Sequence, residues 1–202
     1  MTTGTSELSK LIAIAGASCS GKSTLAAELS AALGGAAVIA LDSFYRDLAH
    51  LPPALRGHEN FDHPGALDFA LVRECLEKLR TGRSASIPRY DFREHTRVGF
   101  RRAEPRPYVV LEGLHALYLP EIREAAALRV FVELEPELCL RRRLVRDSHE
   151  RGRSDSAIRA QFAETVEPMY AQYVLPTKTW ADILMRGDTP TEEAIGLVLS
   201  KL

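Results

Sequence analysis

Apolar, partly β-branched runs recur along the chain with helix-forming stretches between them. Lys10 to Ala15, Ala37 to Leu41, Tyr108 to Leu111, Leu128 to Leu134 and Ala181 to Met185 read as strands, and their nearly continuous apolar character suits strands buried on both faces. Helices are predicted over Lys22 to Leu33, Leu67 to Leu79, Pro136 to Asp147, Asp155 to Tyr170 and Thr191 to Leu199. Gly34-Gly35 ends the first of these, and Pro136 and Pro190 stand at helix starts, where a missing N–H costs nothing. Strands alternating with helices predict an α/β fold, a five-stranded and mostly parallel sheet flanked by helices. Between 84 and 106 the pattern changes. Ser86 to Tyr90 and Thr96 to Phe100 are two short runs joined by a polar turn, which reads as a β-hairpin inserted outside the main sheet. An insertion of this kind usually serves a substrate.

The first strand leads directly into Gly16-Ala17-Ser18-Cys19-Ser20-Gly21-Lys22-Ser23, which fits G-x-x-x-x-G-K-[ST], and Thr24 opens a run of strong helix formers. The glycines let backbone N–H groups curl into an anion nest, and the following helix turns its positive dipole end toward the same anion. Gly16, Ala17, Ser18, Ser20, Gly21, Lys22, Ser23 and Thr24 are therefore expected to cradle a nucleoside triphosphate. Lys22 reaches the terminal phosphates and the Ser23 hydroxyl faces Mg²⁺.

Length and charge narrow the reading. The chain has 202 residues, which suits one domain that buries a core without disulfides or a structural metal. A net charge of -1 with interspersed signs speaks against nucleic-acid or membrane-surface partners. Cys19, Cys75 and Cys139 lack zinc-site spacing and read as free thiols in a reducing compartment. Met1 to Ser9 is polar and small and is expected to fray, and no apolar run approaches a bilayer span. A cytoplasmic protein is expected.

Further chemistry sits at strand ends, where open α/β sheets bind ligands. The second strand ends in Leu41-Asp42-Ser43. Asp42 would stand near the γ-phosphate and accept a proton from an attacking hydroxyl, touch Mg²⁺, or both; the competing reading is a cap on the next helix. Tyr108 to Leu111 ends in Glu112-Gly113, an acid after a buried run, which places Glu112 as a Mg²⁺ or water-organising group. From Arg141 to Arg153 the chain carries six arginines against Asp147 and Glu150. Arg142, Arg143 and Arg146 share a helix face, with Leu140 and Leu144 turned to the core. Arg141 and Arg142 also fit a merely solvated face, whereas Arg151-Gly152-Arg153 suits a lid over phosphates. A guanine-specific switch GTPase is excluded, because its Asn-Lys-x-Asp base reader is missing and Asn60 is the only asparagine. No signature segment of a transporter-type ATPase is present.

Taken together, Gly16 to Ser23, Asp42-Ser43-Phe44-Tyr45, Asn60-Phe61-Asp62-His63-Pro64, Pro88 to Phe92 with His95 and Arg97, Glu112-Gly113, Arg146 to Arg153 and Leu175-Pro176-Thr177-Lys178 resemble the uridine kinase and phosphoribulokinase family. The resemblance implies a single P-loop NTPase-fold kinase domain over 1–202, with 84–106 as a substrate-binding hairpin and 147–155 as an arginine-rich lid. It implies transfer of the γ-phosphoryl of ATP or GTP, with Mg²⁺, to the 5′-hydroxyl of uridine or cytidine in a homo-oligomer, a tetramer. By position it makes Asp42 the base, with Lys22 and Arg146 catalytic beside it. Ser23, Asp42 and Glu112 surround the metal, and Arg146, Arg151 and Arg153 lie on the triphosphate. Asp62 and Arg143 hold the ribose, Tyr90, Phe92 and His95 the base, and Tyr45, Phe61 and Arg153 complete the nucleoside site. On pattern alone, Phe61 also reads as core, Asp62 as a cap for the Leu67 helix, and Tyr90 with Phe92 as hairpin packing. Glu112-Gly113-Leu114-His115-Ala116 departs toward phosphoribulokinase, leaving His115 either near a substrate or buried and satisfied. A kinase for another small alcohol and a non-catalytic nucleotide-binding regulatory module are the alternatives.

Overall fold

The computed structural model describes residues 8–202; the expected fraying of Met1 to Ser9 falls almost wholly outside them. Strands β1 (Lys10–Gly16), β2 (Ala37–Ala40), β5 (Tyr108–Glu112), β6 (Ala126–Glu133) and β7 (Ile183–Arg186) form one sheet in the order β2-β5-β1-β6-β7. Every pairing in it is parallel. Strands β3 (Ala85–Asp91) and β4 (Thr96–Ala103) pair antiparallel as a separate two-stranded sheet.

Alternation along β1 explains the layering. Leu11, Ala13 and Ala15 face one core cluster and Ile12 and Ile14 the other, all at most 1% exposed. On the first face lie helix α3 (Phe69–Arg80), through Val72, Leu76 and Leu79, and the hairpin, through Ile87 and Tyr90. The second face takes helices α1 (Lys22–Ala32) and α8 (Thr191–Leu199) through Leu25, Leu29, Ala194 and Val198. Each fully buried leucine or isoleucine contributes about 1.5–3 kcal/mol. The remaining helices are α2 (Pro53–Arg56), α4 (Pro120–Ala125), α5 (Pro136–Arg151), α6 (Asp155–Gln161) and α7 (Glu167–Met169), and π-helical turns carry the chain on from α6 to Val174. None of the helices among the described residues is long and apolar enough to cross a membrane.

Several boundaries differ from the sequence reading. Helix α3 begins at Phe69, because Asp68 caps it by accepting Leu71 N–H at 3.2 Å, which also removes the reading of Asp62 as that cap. Helix α8 has the bounds expected of it, Thr191–Leu199, with Pro190 at the N-cap position. Helix α5 runs past Asp147 to Arg151 and ends at Gly152, whose φ of 64° closes it. The stretch 147–155 is thus mostly helical, with only 152–154 outside a helix. The buried positions of α5 are Cys139, Arg143 and Asp147, so a polar stripe points inward, while Leu140 and Leu144 are only half-buried.

Parallel strands emerge at one edge. Ile14 and Ala40 both stand level with Glu112, and Gly16 with Val132. That register gathers the loop after β1, Asp42 after β2 and Glu112 at the end of β5.

Candidate active site

The loop after β1 has the geometry of an anion nest. At Gly16, φ is 144°, and a Cβ there would stand 2.1 Å from the Val132 carbonyl oxygen, so the strand can enter the loop beside β6 only as glycine. Cys19 and Gly21 are also left-handed. Helix α1 follows with no side-chain cap on its first N–H groups, leaving its positive end free for an anion. Lys22 is buried and its Nζ donates to the Ala17 carbonyl at 2.6 Å. Burial pushes its pKa below the ordinary lysine value, and the charges of Glu112 and Asp42 pull it back. A cavity of about 460 Å³ opens above, with Ser18, Lys22, Ser23, Thr24 and Arg146 among its walls. Gly16, Ala17 and Ser20 do not line it; they shape the loop from behind.

Ser23 Oγ donates to Glu112 Oε1 at 3.1 Å. Burial, then the charge of Asp42, raises the Glu112 carboxyl above its usual range, while Lys22 and Ser23 oppose the rise. A buried carboxylate beside a second one and a hydroxyl, at the wall of an open cavity, suits a hard divalent cation such as Mg²⁺, which takes few protein ligands and completes its shell with phosphate and water. Asp42 lies inside a 3₁₀ turn, Leu41–Phe44, whose N-cap position is Ala40. It therefore caps nothing there.

A second cavity adjoins the first and shares Ser18, Asp42, Leu114 and Arg146 with it. The other side of this second cavity is formed by Tyr45, Phe61, Asp62, Tyr90, Phe92 and His95. Phe61 stacks on His95 with centroids 4.6 Å apart, and Tyr45 packs against Phe61 and Tyr90. His95 adopts a left-handed φ of 55°, a strained backbone for a non-glycine residue. Burial, and then Arg153 and Arg151, keep its pKa below the usual imidazole value. His95 Nδ1 and the Tyr90 hydroxyl are both buried without partners, a cost of about 1–3 kcal/mol each that a polar ligand would relieve. Asp62 is 6% exposed; burial raises its pKa, and Arg143 opposes this most strongly. Arg97 fixes the hairpin to this wall by donating to the Tyr45 and Phe44 carbonyls and pairing with Asp68 at 3.2 Å.

The arginines are organised by one buried acid. Asp147 accepts from Arg146 Nε at 2.8 Å and lies 3.4 Å from Arg143 Nε and 3.6 Å from Arg151 Nη1. Arg151 also covers the Phe92 ring at 5.1 Å, and Arg93 in the hairpin turn donates to the Glu150 carbonyl at 3.1 Å. With this latch made, the second cavity measures about 40 Å³, far below the ~300 Å³ at the lower end of ligand pockets. Arg151 and Arg153 line this cavity and not the first one above the loop after β1, whereas Arg146 lines both.

Sequence reasoning missed two residues here, Gln161 and Gly187, and left a third, Arg142, open. Gln161 lines the second cavity and accepts from Arg143 at 3.0 Å and Arg153 at 2.6 Å. Gly187 packs so tightly that a Cβ would stand 1.8 Å from the Ser20 carbonyl oxygen. Arg142 is no mere solvated residue, since it donates to the Cys19 and Gly187 carbonyls; Arg141 is exposed, as that reading has it. No local motif marks these long-range contacts.

The profile described as the Phosphoribulokinase / Uridine kinase family matches residues 11–192. A uridine kinase from Tolumonas auensis is 39% identical over 95% of this chain and 93% of its own length. One from Chloroflexus aggregans is 36% identical over the same shares. Among solved structures, D-glycerate 3-kinase from Cryptococcus neoformans has a TM-score of 0.64 at 18% identity, covering 86% of this chain and 81% of that one. That last likeness concerns the fold alone, an α/β P-loop kinase architecture.

Proposed function

Because the chain belongs to the phosphoribulokinase/uridine kinase family, we propose that it is a nucleoside kinase. It transfers the γ-phosphoryl group of ATP or GTP to the 5′-hydroxyl of uridine or cytidine, giving UMP or CMP. The observation that carries the reading is the pair of adjoining cavities that meet at Asp42, one backed by the phosphate loop and the other walled by Phe61, His95, Tyr90 and Asp62. The names of the similar curated proteins support the same acceptor.

In this reading a pyrimidine takes the hydrogen bonds that Tyr90 Oη and His95 Nδ1 lack, beside the Phe61 ring. Asp62 accepts from the vicinal ribose hydroxyls, which disfavours 2′-deoxynucleosides. Asp42 takes the 5′-hydroxyl proton as the new O–P bond forms and the bond to the β-phosphate oxygen breaks. Lys22 exchanges the Ala17 carbonyl for phosphate oxygens, and Arg146, Arg151 and Arg153 neutralise the charge that moves. Mg²⁺, held by Ser23, Glu112 and Asp42, would supply charge neutralisation on the phosphates. Closing of the hairpin on the helix end excludes water from the transfer.

Four arginines facing the second cavity, Arg143, Arg146, Arg151 and Arg153, also suit an acceptor that already carries phosphate, which is the phosphoribulokinase-like reading. ADP formation with Mg-ATP and Mg-GTP against uridine, cytidine, adenosine and ribulose 5-phosphate separates the two. Turnover with the pyrimidine nucleosides is expected; turnover with ribulose 5-phosphate alone overturns the nucleoside reading, and turnover with no acceptor favours a regulatory module.

A further inference from the structure

We propose that His115 is a positioning residue that sets Asp62 for ribose recognition, through a hydrogen bond from its Nε2–H to the Asp62 main-chain carbonyl. This rests on the nucleoside-kinase reading and deepens it.

His115 is 2% exposed and lines neither cavity, so it does not touch an acceptor. Its Nε2 stands 2.9 Å from the Asp62 carbonyl oxygen. A carbonyl only accepts, so Nε2 carries the proton and Nδ1 is left as an acceptor. Nδ1 has no protein partner. A buried imidazole with one unmet nitrogen is a poor choice for packing alone, since an aliphatic side chain of similar size fills the space without that cost. The bond to Asp62 accounts for the residue.

Asp62 needs such a tie. It sits in the irregular stretch before the 3₁₀ turn Pro64–Ala66, held locally by its N–H to Asn60 Oδ1 at 3.1 Å and on the outer side by His63 Nε2 against the Tyr173 hydroxyl at 3.0 Å. His115 holds the inner side. It belongs to the turn after Glu112, where Ala116 N–H bonds the Gly113 carbonyl. Gly113, at φ 149°, packs so closely on Leu41 that a Cβ would meet the Leu41 Cβ at 2.7 Å. One turn thus abuts the residue before Asp42, extends from Glu112 and holds the backbone of Asp62. It fixes the acceptor-side acid relative to the two acids on the phosphate side.

The test compares wild type, H115L and H115Q, the last of which keeps an N–H near the Nε2 position. Steady-state constants are measured for uridine, 2′-deoxyuridine and Mg-ATP, with thermal melts of each protein. H115L is expected to raise KM for uridine about tenfold, the worth of one hydrogen bond, and to lower the uridine-to-deoxyuridine ratio of kcat/KM by a similar factor. KM for Mg-ATP stays within about twofold. H115Q restores the ratio and carries the test if H115L does not fold. An unchanged ratio in H115L, equal losses for both nucleosides with a lowered Tm, or no restoration by H115Q overturns the inference while leaving the nucleoside reading in place. Absence of nucleoside turnover in wild type overturns both.

Discussion

Replacing Asp147 by Asn probes the scaffold beneath the arginines. The substitution keeps shape and removes one charge. Asp147 is fully buried, and the side chains of Arg143, Arg146 and Arg151 around it are 5%, 30% and 19% exposed. Breaking a buried ion pair costs about 3–5 kcal/mol, but water reaches Arg146 and Arg151 and screens part of that. About 2–3 kcal/mol is therefore expected. For a chain of this length each kcal/mol moves Tm by about 2–4 °C, so differential scanning fluorimetry should show a fall of roughly 5–10 °C at neutral pH. The pH dependence follows from the carboxyl. Burial raises its pKa, but the Arg146 hydrogen bond and the charges of Arg146, Arg151 and Arg143 outweigh burial and hold it below 3.8. A depressed folded-state pKa gives stability that is complete above the unfolded value and lost as pH falls through the folded one. The gap between wild type and D147N should thus be flat from about pH 5 to 8 and close only below pH 3.8. A gap under about 1 °C at neutral pH, well inside the scatter expected of a neutral surface change, would refute the shared-counterion account. So would a gap that closes between about pH 5 and 8, where histidine and not a carboxylate titrates.

Three further outcomes are expected. D42N lowers kcat about 10²–10⁴-fold with KM for ATP little changed, as loss of a general base requires; a raised KM for ATP with intact kcat would make Asp42 a binding group instead. G187A forces apart two backbones already in contact at Ser20, and displacing the phosphate loop by about 1 Å lowers kcat/KM for ATP about 10²-fold, read by initial rates at varied ATP. G196A adds a Cβ with nothing within 4 Å on the exposed side of α8 and stabilises by about 0.5–1 kcal/mol, a Tm rise of a few degrees.

The sheet was legible because its strands are buried on both faces, so that Leu11 to Ala15 and Val109 to Leu111 read as unbroken apolar runs. The phosphate loop was legible because its backbone conformation demands glycine at Gly16 and Gly21. The end of α5 was not, because its inward stripe is Cys139, Arg143 and Asp147, and a buried arginine next to a buried aspartate carries no hydrophobic period. Helix α4 (Pro120–Ala125) is too short to show one. Gln161, Arg142 and Gly187 act across long sequence separations, and His115 acts on a main-chain oxygen, an atom every residue has. Sequence types name donors and acceptors; only the fold pairs them.

In the proposed reaction the cavity beyond Asp42 receives a pyrimidine ribonucleoside. Equimolar uridine and ribulose 5-phosphate with limiting Mg-ATP, followed by mass spectrometry of the products, tests it in one vessel. UMP alone is the predicted product, and D62N should abolish most of it. Ribulose bisphosphate as the main product, or UMP formed equally well by D62N, would rule out a ribonucleoside held by Asp62 in that cavity.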